Sequence, residues 1–138
     1  MREITIKAFG TGMSRAASLL ILVAVAGTVL APTASATDKQ RGEQVLNKCL
    51  VCHTVSPDGV HAAGPNLFGL IGRPVGKLSG YKFSRAMRKS EQTWTLELLD
   101  KFITAPAEVF PRNRMAFSGL KNPADRAALI AVLAGLKK

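Results

Sequence analysis

Two cysteines are present in the 138-residue chain, and both lie in one run, Cys49-Leu50-Val51-Cys52-His53. A C-x-x-C-H run reads as a site of covalent haem attachment. Each thiol can add across one vinyl group to form a thioether. The two-residue spacer lets both sulfurs reach vinyls on neighbouring rings of the macrocycle. The histidine after the second cysteine is then held beneath the iron, where a neutral imidazole nitrogen can ligate it. Two rival readings fit less well. A thioredoxin-type disulfide expects a βαβ setting, whereas the flanking sequence reads as helix and loop. A Cys2His2 zinc site would need His61 beside His53, but the intervening Pro57-Asp58-Gly59 and the short gap do not match finger spacing.

The N-terminus carries Arg2, Lys7 and Arg15 against Glu3, then an uncharged apolar run over residues 16–30, then Ala34-Ser35-Ala36. A charged start, a short apolar middle and a small-x-small end make a secretory signal peptide. Residues 19–30 are short for a membrane span, which needs about 20 apolar residues. Cleavage after Ala36 is therefore expected, with residues 1–36 removed and residues 37–138 forming one domain. The mature chain would keep 16 basic and 8 acidic side chains, a formal charge of +8. A domain this small buries only part of its surface. A large apolar cofactor tied to it would supply the missing core. Export agrees with covalent haem attachment, which in bacteria occurs outside the cytoplasmic membrane.

Along the chain, Thr37 or Asp38 can cap a first helix running towards Cys49. Pro57-Asp58-Gly59 marks a turn inside a loop. The stretch from Gly64 to Pro74 mixes glycine, proline and apolar residues, as suits a chain wrapping a flat ligand. Ser84 can cap a short basic helix, Arg85–Lys89. Thr93-Trp94-Thr95 opens the next helix, which Pro106 ends, and residues 107–117 read as loop. Asn122-Pro123 starts the last helix, where Leu129, Val132, Leu133 and Leu136 share one face and Lys137 and Lys138 suit the dipole. No strand-like alternation appears. The fold class is all-α, several short helices and long loops around one haem.

The second iron ligand has to come from elsewhere in the chain. Met115 is the best candidate, because it sits in the loop Pro111-Arg112-Asn113-Arg114-Met115-Ala116-Phe117. Met/His ligation raises the potential, and a six-coordinate iron favours electron transfer over chemistry. A gap-filling core role is the alternative for Met115. Met87, among Arg85, Arg88 and Lys89, reads as packing under its helix. His61 reads as a solvated loop histidine, though it and the lysines are alternative ligands.

Taken together these segments resemble the class I cytochromes c, in particular the bacterial cytochrome c2 and mitochondrial branch. The resemblance spans nearly all of residues 41–136. It rests on Gly42-Glu43, Cys49-x-x-Cys52-His53, Gly64-Pro65-Asn66-Leu67, Gly72-Arg73, Thr93-Trp94, Pro111, Arg114-Met115-Ala116-Phe117 and the closing Leu129-Ile130-Ala131-Val132-Leu133. It implies the cytochrome c fold, with haem c held through Cys49 and Cys52 and iron ligated by His53 and Met115. It implies that the Pro65 carbonyl accepts from the other ring nitrogen of His53. Trp94 would donate to a haem propionate and Arg73 would help neutralise it. The first and last helices would cross near Gly42. The chain departs from the pattern at Phe83 and Phe102, where tyrosines are frequent. It departs also at Leu46 and Val132, where aromatics are usual, and at Arg112-Asn113, where Gly-Thr is common. Two hydroxyls near the haem are thereby lost.

The expected function is a soluble, periplasmic, monomeric electron carrier working by outer-sphere transfer, with no catalytic residue. The positive charge suggests acidic docking surfaces on partners and salt-sensitive steering. By family these partners would be a bc1-type donor and an oxidase or photosynthetic reaction centre. Lys77, Lys82, Lys89, Arg112, Arg114 and Lys121 are candidates for the docking face. Two alternatives use the same motif: a haem enzyme or gas- or peroxide-reactive protein with a labile methionine, and the dedicated acceptor of one dehydrogenase. Nucleic-acid binding fits poorly with export and lacks an aromatic-basic stripe.

Overall fold

Five helices form among residues 35–137, which are those that the structure, a computed structural model, describes. They are α1 (Ala36–Cys49), α2 (Arg85–Lys89), α3 (Leu96–Thr104), α4 (Pro106–Val109) and α5 (Pro123–Gly135). Of the expected signal segment, residues 1–34 lie outside the described residues, and Ala36 opens α1.

Local chemistry explains most of the helix starts. The Ser84 hydroxyl accepts from Met87 N–H at 3.3 Å, and the Thr95 hydroxyl accepts from Leu98 N–H at 3.1 Å. Asn122 Oδ1 accepts from the N–H groups of Ala124 and Asp125, and Pro123 takes the first helical position, where no donor is needed. α1 departs from expectation. Its cap position is Ser35, whose hydroxyl pairs with that of Thr37 instead of a helix N–H. Thr37 and Asp38 therefore fall inside the first turn, where the Asp38 carboxylate suits the dipole. Pro106 also does more than end α3, because it opens the single turn α4, so the segment expected to be loop begins as helix. α5 stops at Gly135, which leaves Lys137 beyond its last turn; Lys138 lies outside the described residues.

α1 packs on α5, and α3 packs on both α4 and α5. The α1–α5 crossing depends on Gly42. A Cβ there would stand 2.6 Å from Val132 Cγ2 and 2.9 Å from the Ala128 carbonyl carbon. From α1 the core takes Val45 and Leu46, from α3 Leu99, Phe102 and Ile103, and from α5 Leu129 and Leu133. Arg126 joins α5 to α3 and to the loop between them. Its Nε donates to Asp100 Oδ1 at 2.8 Å, and its Nη1 to the carbonyls of Leu120 and Lys121 at 3.1 and 3.0 Å.

No strand forms among the described residues, but one isolated antiparallel bridge joins Pro74 and Thr93. Around it Gly72 N–H donates to Trp94 O, Trp94 N–H to Arg73 O and Val75 N–H to Gln92 O. The long loop over residues 50–84 is held by side chains. Asn66, 2% exposed, donates from Nδ2 to Ser56 O and Val60 O and accepts Phe68 N–H at Oδ1. His61, expected to be solvated, is half-buried with both ring nitrogens engaged: Nδ1 accepts Asn66 N–H and Nε2 donates to Ser79 O at 2.8 Å. Tyr81 Oη donates to Ala63 O at 2.9 Å. Backbone groups that lack a ladder are satisfied through these few polar side chains instead.

Candidate functional site

The last turn of α1 carries Cys49, and the chain turns at once to present Cys52 and His53. Cys52 N–H and His53 N–H both return to Cys49 O, at 3.0 and 2.9 Å. Both thiols are free; Cys49 is half-buried and Cys52 exposed. The Cys49 thiol donates to Val45 O at 3.8 Å, and burial pushes it up from its ordinary value against the weaker pull of Lys48. No disulfide joins the pair, and no group of three metal-ligating His, Cys, Asp or Glu side chains stands together among the described residues.

His53 Nδ1 lies 2.7 Å from Pro65 O. A carbonyl can only accept, so Nδ1 carries the proton and Nε2 the lone pair. Gly64 packs against the imidazole: a Cβ there would come within 2.5 to 2.9 Å of three ring atoms. Its N–H also ties back to Cys52 O at 2.6 Å. The ring is thus oriented from one side by a hydrogen bond and by a residue without a side chain.

Downstream of Pro65, Arg73 is half-buried and donates to Asn66 O at 3.0 Å and Phe68 O at 3.4 Å. Burial pulls its guanidinium below the usual value, and no carboxylate pairs with it among the described residues. Trp94 is buried edge-on against Phe102, with centroids 5.2 Å apart, and against Phe110 at 6.0 Å. Its indole N–H meets no acceptor among the described residues, while its main chain pairs with Arg73. Arg73 and Trp94 are therefore brought together through the backbone. Met115 is half-buried and packs against the hydrophobic cluster that includes Trp94, Phe102 and Phe110.

These features fit a haem. A half-buried cation bonded only to carbonyls suits a ligand that brings its own carboxylates. Two unpaired thiols beside a lone-pair-bearing imidazole, with a soft thioether elsewhere on the same core, make a donor set suited to iron. Phe83 and Phe102, both buried, contribute no hydroxyl. Asn66 and Asn113 stand in segments that the sequence singles out, but their side chains are assigned no role there. An asparagine inside the apolar run after Pro65 was the one cue to a buried polar hub.

No protein-family profile matches the chain. Known proteins do. It is 41% identical over 117 residues to cytochrome c2 of Rhodomicrobium vannielii, covering 83% of this chain and 94% of that protein. It is 48% identical over 88 residues to cytochrome c2 iso-2 of Magnetospirillum fulvum, covering 64% and 91%. It is 42% identical over 101 residues to cytochrome c of Chlamydomonas reinhardtii, covering 72% and 90%. The chain belongs to the class I cytochrome c family. It is a monohaem electron carrier with covalently bound haem c, and its relatives are carriers rather than enzymes.

Proposed function

We propose that the chain loses residues 1–36 on export and serves as a soluble periplasmic carrier of single electrons between membrane redox complexes. In this reading Cys49 and Cys52 would hold haem through thioether links, and His53 and Met115 would ligate its iron. The observation that carries it is the 2.7 Å bond from His53 Nδ1 to Pro65 O, which leaves Nε2 as a free donor atom beside two unpaired thiols. Bound haem supplies a one-electron ferrous–ferric couple. Pro65 orients His53 and makes its imidazole more electron-rich. The Arg73 guanidinium and the Trp94 N–H would hold a propionate, replacing water around that carboxylate. The Met115 thioether favours the ferrous state and raises the potential. With His53 and Met115 both ligating iron, small ligands would be excluded and transfer would be outer-sphere.

Charge supports the docking mode. Lys77, Lys82, Lys89, Arg112, Arg114 and Lys121 are all exposed. An acidic partner face, as on a bc1-type donor and an oxidase or reaction-centre acceptor, would be steered to them and released quickly.

The test is the visible spectrum of the holoprotein, oxidised and reduced, with and without carbon monoxide. A low-spin reduced spectrum indifferent to carbon monoxide and a weak sulfur-to-iron band in the ferric form are expected. Met115→Ala should keep the haem attached and admit carbon monoxide. A variant that kept the parent's spectrum and still excluded the gas would remove Met115 from the role.

A further inference from the structure

Residues 110–120 carry Met115 and are anchored at both ends. Phe110 is buried against Trp94 and Phe102, and its N–H reaches Pro106 O at 3.0 Å. Leu120 N–H reaches Ile103 O at 2.8 Å, and a Cβ on the neighbouring Gly119 would stand 2.9 Å from the Thr104 carbonyl carbon. Between these anchors one side chain reaches the backbone of Met115. Asn113 Oδ1 accepts Met115 N–H at 3.0 Å, while Asn113 Nδ2 and Asn113 N–H both donate to Phe110 O at 3.1 Å. A single amide therefore ties the Met115 peptide to the buried end of the loop. The residue before it, Arg112, has φ 55, the only positive φ of a non-glycine residue among those described. That conformation is disfavoured for any residue with a Cβ, and it falls inside the turn that the Asn113 N–H to Phe110 O bond closes.

We propose that Asn113 is a positioning residue that sets how firmly Met115 is kept against ferric iron, and hence how strongly the oxidised protein excludes outside ligands. The proposal rests on Met115 as an axial ligand. A thioether prefers ferrous iron, so in the ferric protein loop opening competes with ligation. Phe102 has no hydroxyl to offer the sulfur, and Met115 Sδ accepts no hydrogen bond among the described residues. Retention then falls on the backbone of the loop. Moving Met115 away from the core means breaking the Asn113 Oδ1 bond or carrying Asn113 off Phe110 with it.

Imidazole binding to the ferric holoprotein measures this directly. Asn113→Ala is expected to bind imidazole about tenfold more tightly, the order expected when both side-chain hydrogen bonds are lost. It should also lose the sulfur-to-iron band at lower pH, with the ferrous spectrum unchanged. Asn113→Asp keeps the acceptor for Met115 N–H but not the Nδ2 bond, and should fall between. Asn122→Ala removes the α5 cap and serves as the stability control: its melting temperature should drop while imidazole affinity stays at the parent's value. An Asn113→Ala protein with the parent's affinity would overturn the proposal, as would an equal gain in Asn122→Ala at equal loss of stability. If Met115→Ala left band and affinity as in the parent, the ligand assignment itself would fall, and the proposal with it.

Discussion

Asn66 satisfies three main-chain groups with one buried amide; replacing it orphans Ser56 O and Phe68 N–H, while Val60 O keeps the Thr54 hydroxyl. Asn66→Leu is expected to cost about 3 kcal/mol, read from urea denaturation, because each orphaned buried group carries its own desolvation penalty. Arg112 presents the opposite case. Its left-handed backbone at φ 55 suits glycine, and Arg112→Gly should raise stability by up to about 1 kcal/mol in the same assay. At this scale legibility depends on distance along the chain. Cys49, Cys52 and His53 are contiguous, and their chemistry is written in the spacing. Asn66 meets Ser56 and Val60, and His61 meets Ser79, across loops of up to 18 residues that carry no periodic signal. His61 was misjudged for that reason: nothing near it in sequence announces the carbonyl it finds in the fold.

Among the helices, the three with a side-chain cap are legible, and of the two without one, α1 is displaced and α4 goes unread. Ser84, Thr95 and Asn122 each accept from the helix they precede, whereas α1 starts at Ala36 with no such bond. The turn α4 was missed because a proline that stops one helix is equally suited to begin another. Helix packing was legible only where a glycine marked it. Gly42→Ala would drive a methyl group into the Ala128 carbonyl and Val132, both on α5. Backbone cannot yield as a flexible side chain does, so a loss of about 2–3 kcal/mol is expected by thermal denaturation. Arg126→Ala would remove the Asp100 pair and two carbonyl bonds at once, and should loosen the joint between α3 and α5. Hydrogen exchange of α3 amides, faster in the variant than in the parent, would register that.

For the molecule as a whole, acid sensitivity follows from the turn at Asp58. The Ser56 hydroxyl, and after it the Val60 N–H, hold the Asp58 carboxyl below its ordinary value. A carboxyl lowered on folding contributes stability above its unfolded value, and the contribution is lost as pH falls through the folded one. Asp58→Asn should therefore be less stable than the parent at about pH 7 and indistinguishable from it at about pH 2, measured by denaturant melts. The crossing of α1 and α5 has a consequence of another kind, one of timing. It joins the first described helix to the last described one, so α1 has to wait for α5 whenever the chain emerges from its N-terminal side. The pair cannot close until residues 123–135 have emerged. In the closed protein the Cys49 thiol is half-buried, hydrogen-bonded and pushed away from ionisation, a poor nucleophile. Before α5 is in place, the cluster that Cys49 packs against lacks Leu129 and Leu133. The order of helices thus works as a clock for that core, which closes around Cys49 only once α5 docks on α1.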